Sequence, residues 1–367
     1  MDNLSKRRIV RMAAAAGALF FLAVLLPSFL RPPVQKATRL PLPISLGWNL
    51  GNRLDAMKKD LGYTLDTEQL WGNPRTEKHM IDAVRAAGFD AIRIPVSYYN
   101  HIDASGIVDP AWLDRVEEVV NWSLENDLYT ILNVHHDAGM DQNLVWIYAD
   151  TDTFEQSHAD YVNLWRQIAE RFSTYDERLL FQSSGEWMNL ERSQNGTHAE
   201  DFRIVHELNQ AFIDTVRQSG GGNENRYLLL SPFAASAEED ILRAMFAKPF
   251  SDPAKNRLIL SVHSYATDPA ALRKGAETLA AVSRDYNIPI VIDEFGVPVT
   301  VSPLRRFTAT ERFLSEAARR GIVCFHWDDG FEYKLLDPHT GKPAFAGVLR
   351  RMRAIARGAF PSPSPQS

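Results

Sequence analysis

Eight times along this chain an apolar run gives way to a stretch with helical, amphipathic periodicity, and that alternation leaves few folds open. The runs cover 44–50, 91–96, 130–134, 179–183, 227–230, 258–262, 290–292 and 322–325. The amphipathic stretches cover 76–87, 111–125, 154–172, 199–218, 237–246, 270–286, 309–320 and 345–357. Strand–helix units in unbroken order predict a (β/α)8 TIM barrel of α/β class. The main rival, an open doubly wound sheet, calls for a glycine-rich phosphate turn after the first strand. Gly47-Trp48-Asn49-Leu50-Gly51-Asn52 has the wrong spacing for one, and bulky residues besides. No internal repeat occurs at solenoid periods. With 367 residues, 45% of them hydrophobic, the chain can bury one large core, so a single barrel domain is expected over 44–358.

The two ends read differently. Lys6, Arg7, Arg8 and Arg11 precede 19 uncharged residues, 12–30, followed by Arg31 and two prolines. This is the pattern of an export or anchor segment: a cleaved signal peptide or a retained membrane anchor within 1–35. No small-x-small cleavage site follows it, and Arg7-Arg8 is a weak twin-arginine hint. In either case the basic flank stays cytoplasmic and the body is exported, to the periplasm, the exterior or the outer side of the membrane. A proline-rich linker is expected over 36–43, and 359–367 has the composition of a disordered tail. The net charge of −6 argues against a nucleic-acid partner, since phosphate binding needs a concentrated basic face. Membrane contact is expected only through the N-terminal segment, and the body is expected to be a monomer. Cys324 is the single cysteine, which excludes an intramolecular disulfide and a Cys-rich metal site.

In a (β/α)8 barrel the active face lies at the C-terminal ends of the strands, and six of the eight predicted strands carry polar residues there. Strand two carries Arg93, strand three ends in His135-His136-Asp137, and strand four runs into Glu186. Strand six ends in His263-Ser264-Tyr265, strand seven in Asp293-Glu294 and strand eight in His326-Trp327-Asp328-Asp329. The flanks of Glu294 are apolar, Pro289 to Ile292 before it and Phe295-Gly296-Val297 after it, and a carboxylate buried there needs partners or a cleft. Glu186 and Glu294 follow strands on opposite sides of the barrel and can face each other across its mouth. Two carboxylates so placed suit glycoside hydrolysis, one as nucleophile and one as proton donor, with retention when they lie about 5–5.5 Å apart. His263, Tyr265 and Arg93 are placed to hold Glu294 ionised, which assigns Glu294 as nucleophile and Glu186 as acid/base.

Each of these residues also has a plainer reading. Glu186 on a loop can be a solvated charge, and Arg93 can be an ion pair on the barrel floor. His135-His136-Asp137 looks like a metal cluster, and a metal-dependent hydrolase built on it would lose activity with a chelator. Against that, adjacent strand residues point to opposite faces, so the histidine pair alone is not expected to chelate one ion. No metal and no cofactor are expected. Trp327 can be core or an aromatic platform for the apolar face of a sugar ring, and Trp48, Trp71 and Trp146 are further subsite candidates.

At this density of motifs the chain resembles glycoside hydrolase family 5 of clan A, a cellulase family. Gly47-Trp48-Asn49-Leu50-Gly51-Asn52-Arg53-Leu54-Asp55-Ala56 resembles the family's opening Gly-Trp-Asn-Leu-Gly-Asn-Thr-Leu-Asp-Ala, and Trp71-Gly72-Asn73-Pro74 follows. Ile92-Arg93-Ile94-Pro95-Val96, Asn133-Val134-His135-His136-Asp137, Val262-His263-Ser264-Tyr265, Ile292-Asp293-Glu294-Phe295-Gly296 and Trp327 continue it over residues 44 to 350. The resemblance implies a retaining endo-β-1,4-glucanase that needs no cofactor and cleaves internal bonds by double displacement. It implies substrate contacts from Arg93, His135, His136, His263, Tyr265 and Trp327. Xyloglucan, mixed-linkage glucan and mannan are alternative substrates within the family.

One departure stands out: where the family resembles Phe-Glu-x-Met-Asn-Glu-Pro, this chain has Phe181-Gln182-Ser183-Ser184-Gly185-Glu186-Trp187. Spacing from Phe181 selects Glu186 over Glu191 as acid/base. Gly185 removes the asparagine expected to bind the sugar 2-hydroxyl, leaving a catalytically weakened glycan-binding homologue as the alternative. Asn189 is a candidate substitute, and restoring asparagine at Gly185 is expected to raise turnover if nothing has replaced it. Asp293, where the family often has a small residue, is expected to point away from Glu294.

Overall fold

A computed structural model describes residues 34–139, 144–189 and 199–360. The segment 12–30, Glu191 and residues 361–367 lie outside the described residues. The described residues from Lys36 to Phe360 belong to one compact unit.

The strands are β1 (Gly47–Asn49), β2 (Ala91–Ile94), β3 (Tyr129–Asn133), β4 (Leu179–Gln182), β5 (Leu228–Leu230), β6 (Leu258–His263), β7 (Ile290–Phe295) and β8 (Val323–His326). They form a closed barrel in chain order, every pair parallel, with β1 bonded to both β2 and β8. The helices are α1 (Lys78–Ala86), α2 (Pro110–Glu125), α3 (Phe154–Arg171), α4 (Ala199–Gln218), α5 (Glu239–Met245), α6 (Pro269–Asp285), α7 (Pro303–Arg319) and α8 (Ala346–Ala359). Among the described residues no helix is long and apolar enough to cross a membrane.

Three helix starts follow proline, two of them with a side-chain cap. Pro110, Pro269 and Pro303 open α2, α6 and α7, where a missing N–H costs nothing. The Asp109 side chain accepts from the Ala111 N–H, and that of Asp268 accepts from Ala270 and Ala271. The proline at 303 also explains why α7 begins six residues before the start read from periodicity at 309.

Inside the barrel, period 2 along each strand separates two kinds of surface. Ala91, Ile131, Leu180, Leu229, Ile259, Val291, Val323 and Phe325 form one buried apolar cluster. Leu40, Leu42 and Ile44 join it, so the stretch expected as a linker packs against the barrel floor, and Thr38 hydrogen-bonds Ser283 at the end of α6. Gly47 is needed here because a Cβ at this position would lie 2.0 Å from the Phe325 ring. A second cluster fills the shell between strands and helices. Two residues up from the apolar layer the inward positions turn polar: Arg93, Asn133, Gln182, Ser231, Ser261 and Asp293, all buried.

Candidate active site

The polar layer is one hydrogen-bonded network. Arg93, fully buried on β2, donates through Nε to Gln182 Oε1 at 2.7 Å and through Nη1 to Asn49 Oδ1 at 2.9 Å. Gln182 Nε2 in turn donates to Asp293 Oδ2 at 2.6 Å and to Ser261 Oγ at 3.0 Å. Above this layer Arg93 Nη1 donates to Glu294 Oε1 at 2.7 Å, so the guanidinium joins the barrel floor to the carboxylate at the mouth. The two readings of Arg93, floor ion pair and site residue, are both realised in one side chain.

Asp293 does not turn away from Glu294. In the pairing of β6 with β7, Val262 is opposite Ile292 but His263 is opposite Glu294, and the register with β8 also shifts between Ile292 and Phe295. Asp293 keeps the inward direction that alternation from Val291 gives it, and as the extra residue of a β-bulge it lets Glu294 turn toward the barrel axis as well. Asp293 Oδ2 lies 3.3 Å from Arg93 Nε and 3.8 Å from His263 Nε2.

The carboxylates of Glu186 and Glu294 meet across one imidazole. His263 Nδ1 lies 3.2 Å from Glu186 Oε1, and His263 Nε2 lies 3.4 Å from Glu294 Oε1. Their surroundings differ. Glu294 has Arg93 on Oε1 and the Tyr265 hydroxyl donating to Oε2 at 3.0 Å, and its side chain is 8% exposed. Both its oxygens act as acceptors, the arrangement of an ionised carboxylate. Burial holds Glu294 above the ordinary carboxylate range; the charges of His263 and Arg93 oppose that rise, and those of Asp293 and Glu186 add to it. Glu186, on the loop after β4, is 23% exposed, and its side chain meets His263. Burial works against a charge on His263, but Glu294, Asp293 and Glu186 outweigh it and push the imidazole up to about 10. It is an imidazolium at neutral pH.

His135 and His136 lie beyond the end of β3, where alternation no longer governs direction, and their rings meet edge to face at 4.5 Å. The expectation that they point apart fails for that reason. Among the described residues, ligand atoms of Asp55, His135 and His136 gather within 4.8 Å of one another. Each has protein partners: Asp55 accepts from the Asn52 and Arg53 N–H groups, His136 Nε2 lies 3.5 Å from Asp55 Oδ2, and His135 Nδ1 meets the Asn133 amide at 3.1 Å. Burial, then His136, Arg93 and His263, keep His135 neutral, whereas Asp55 overcomes burial to raise His136. Asp137 is buried and accepts from the Tyr98 and Tyr99 N–H groups and from Trp146 Nε1. It holds the loop.

Trp327 stacks on His135 with an interplanar angle of 15°, and Trp71 lies edge-on to His136 at 5.1 Å. Trp48 is not a subsite wall: it is buried in the outer core, with Nε1 donating to Asp328 Oδ2. At Gly185 a Cβ would lie 2.4 Å from His135 Nδ1, so the histidine ring occupies the space that a side chain would need. Asn189 is buried with its amide donating to Asp201 Oδ2 on α4.

Reading strand ends missed Asn49, Asn133 and Gln182, which complete the polar layer. Their signal was available: each lies two residues past an inward small or apolar residue, Gly47, Ile131 and Leu180, as Arg93 does past Ala91.

The family described as "Cellulase (glycosyl hydrolase family 5)" matches residues 54–332. "Endoglucanase 1" of Ruminococcus albus is 35% identical over 313 residues, covering 81% of this chain and 74% of that protein. "Cellulase/esterase CelE" of Acetivibrio thermocellus is 33% identical over 355 residues, which is 87% of this chain but 40% of the relative's length. Among solved structures, a GH5-4 broad-specificity endoglucanase from Ruminococcus champanellensis with bound cellotriose superposes with a TM-score of 0.79 at 30% identity. That superposition covers 87% of this chain and 100% of the other.

Proposed function

The chain belongs to glycosyl hydrolase family 5 and is a glycoside hydrolase of the endoglucanase type, and from that premise we propose that Glu294 and Glu186 cleave internal β-1,4 bonds of a glucan with retention. The observation that carries the assignment is the asymmetry of the two carboxylates on one imidazole. Glu294, with Arg93 and Tyr265 on its two oxygens, is the nucleophile. Glu186, more exposed, is the group that protonates the leaving oxygen.

In the first step Glu294 attacks the anomeric carbon while the Glu186 proton passes to the departing glycosidic oxygen, leaving a glycosyl ester on Glu294 and an ionised Glu186. In the second, Glu186 takes a proton from water as the water attacks the anomeric carbon of the ester, and the bond from that carbon to Glu294 breaks so that Glu294 leaves as carboxylate. The cation on His263 contacts both residues and opposes the negative charge that moves between them. Trp327 and Trp71 offer apolar faces to sugar rings, and His135 and His136 offer ring nitrogens to hydroxyl groups. No step uses a metal or cofactor. The body acts as a monomer outside the cytoplasm; the four basic residues followed by the uncharged run 12–30 support that placement.

The test is reducing-sugar release from carboxymethylcellulose, barley β-glucan, xyloglucan and mannan by the full-length protein, with Glu186→Ala and Glu294→Gln beside it. Release lost in both variants supports the assignment, and the preferred polymer names the backbone. Polymer binding with no release by the native protein would favour the weakened, glycan-binding reading, for which Gly185 is the supporting feature.

A further inference from the structure

Three carboxylates, not two, meet in this site, and the double displacement employs only Glu186 and Glu294. Asp293 is fully buried, beside the nucleophile and beneath it, and the two cations of the site both face it: Arg93 Nε at 3.3 Å and His263 Nε2 at 3.8 Å. Its hydrogen bonding alone does not explain it. Among the described residues Asp293 Oδ1 has no hydrogen-bond donor, and Oδ2 is served by the Gln182 amide. Burying an incompletely paired charge is costly, and a neutral amide could accept from Gln182 equally well. The charge itself needs an explanation.

Charge counting supplies one. In the form that begins the reaction, Glu186 carries its proton and Glu294 does not. Arg93 and His263 then contribute two positive charges against one from Glu294, and Asp293 brings the buried cluster to neutrality. Resting on the assignment of Glu294 as nucleophile and Glu186 as acid/base, we propose that Asp293 is a positioning residue of the reaction: it holds Arg93 and His263 beneath the two reacting carboxylates and sets the pH range over which they work. The groups facing His263 are His135 after β3, Glu186 after β4, and Asp293 and Glu294 on β7; Arg93 on β2 and Tyr265 meet Glu294 beside it. Of the anions only Asp293 takes no covalent or proton-transfer part, so it alone keeps its charge through both steps. Without it, one imidazole must bridge two carboxylates in a cluster with excess positive charge, and His263 gives up its proton at lower pH. A neutral imidazole donates to one carboxylate at a time.

The experiment is Asp293→Asn in the full-length protein, read by the pH profile of kcat/KM and by the ring-proton NMR titration of His263 without substrate. The variant is expected to stay within about threefold of native activity near pH 5, where an ordinary imidazole is charged, and to fall at least about tenfold below it near pH 8. His263 is expected to titrate at least about three pH units lower than in the native protein. The exchange Gln182→Glu with Asp293→Asn reverses the hydrogen bond between these positions and moves the charge from β7 to β4, still against Arg93. It is expected to recover most of the activity near pH 8, and it carries the test if the single variant does not fold. An equal loss at every pH, an unmoved His263 titration, or a folded exchange variant without recovery would overturn the proposal. A native protein inactive on every polymer would instead overturn the assignment of Glu186 and Glu294, while the His263 titration would still decide whether Asp293 holds the imidazole charged.

Discussion

The floor and the mouth of this barrel are made by the same strands, two residues apart, and they are opposites. Ala91, Ile131, Leu180, Leu229, Ile259 and Val291 pack an apolar layer; Arg93, Asn133, Gln182, Ser231, Ser261 and Asp293 form the polar layer directly above. Two residues of strand rise about 6.6 Å, so one step of the pleat separates a surface that stabilises the fold from a surface that does chemistry. The lower layer gains from being dry. The upper layer buries charges whose desolvation is offset only by mutual contact, and it is held in place by the packing beneath it. Stability and activity should therefore separate cleanly by substitution.

The widest separation is expected from Glu294→Gln. It keeps the side-chain shape while removing the nucleophile, so turnover should fall at least about 10³-fold with thermal unfolding close to native. Near-native activity would show that Glu294 is not the nucleophile. The mirror experiment is Leu180→Ala in the apolar layer, which should cost about 2–5 kcal/mol in denaturant unfolding while kcat of the folded fraction stays near native. A kcat change as large as the stability change would mean that the layers are not separable.

Gly185 sharpens the contrast within the upper layer. Because His135 fills the space in front of it, restoring asparagine there should lower kcat/KM by about tenfold instead of raising it, and adding His135→Ala should recover part of the loss. A rise in the single variant would show that the ring moves aside freely. Trp327→Ala should act more mildly, raising KM about three- to tenfold with a smaller effect on kcat, as for a lost stacking face. A change confined to kcat would place Trp327 nearer to the chemistry than to binding. The smallest effect is expected from a chelator: activity unchanged, even though Asp55, His135 and His136 converge. Loss of activity reversed by one added cation would reopen the metal reading.

Much of this was legible in the chain. The eight strand–helix units appear where the apolar runs place them, because a strand buried on both faces must be apolar and the helix over it amphipathic. Arg93, Glu186, His263, Tyr265 and Glu294 could be gathered because strand ends converge at a barrel mouth, and the structure brings all five together. What was not legible depends on local departures from regular geometry. Glu294 was turned inward beside Asp293 by a bulge, which has no signature in alternation. The histidines after β3 were placed by a loop, to which strand periodicity does not apply. Trp48 was hidden by its place within β1, as tryptophan serves core and sugar platform alike. Residues 36–43 looked like a linker from their prolines, yet their leucines cover the barrel floor.

The proposed catalysis turns on Glu294 forming a covalent intermediate while Glu186 serves first as acid and then as base. The stereochemistry of hydrolysis reports this directly. Proton NMR of a cello-oligosaccharide digest, recorded before mutarotation, should show the new reducing end appearing as the β-anomer, which then relaxes toward equilibrium. First appearance of the α-anomer would mean a single displacement by water, with Glu294 no longer the nucleophile and Glu186 no longer both acid and base.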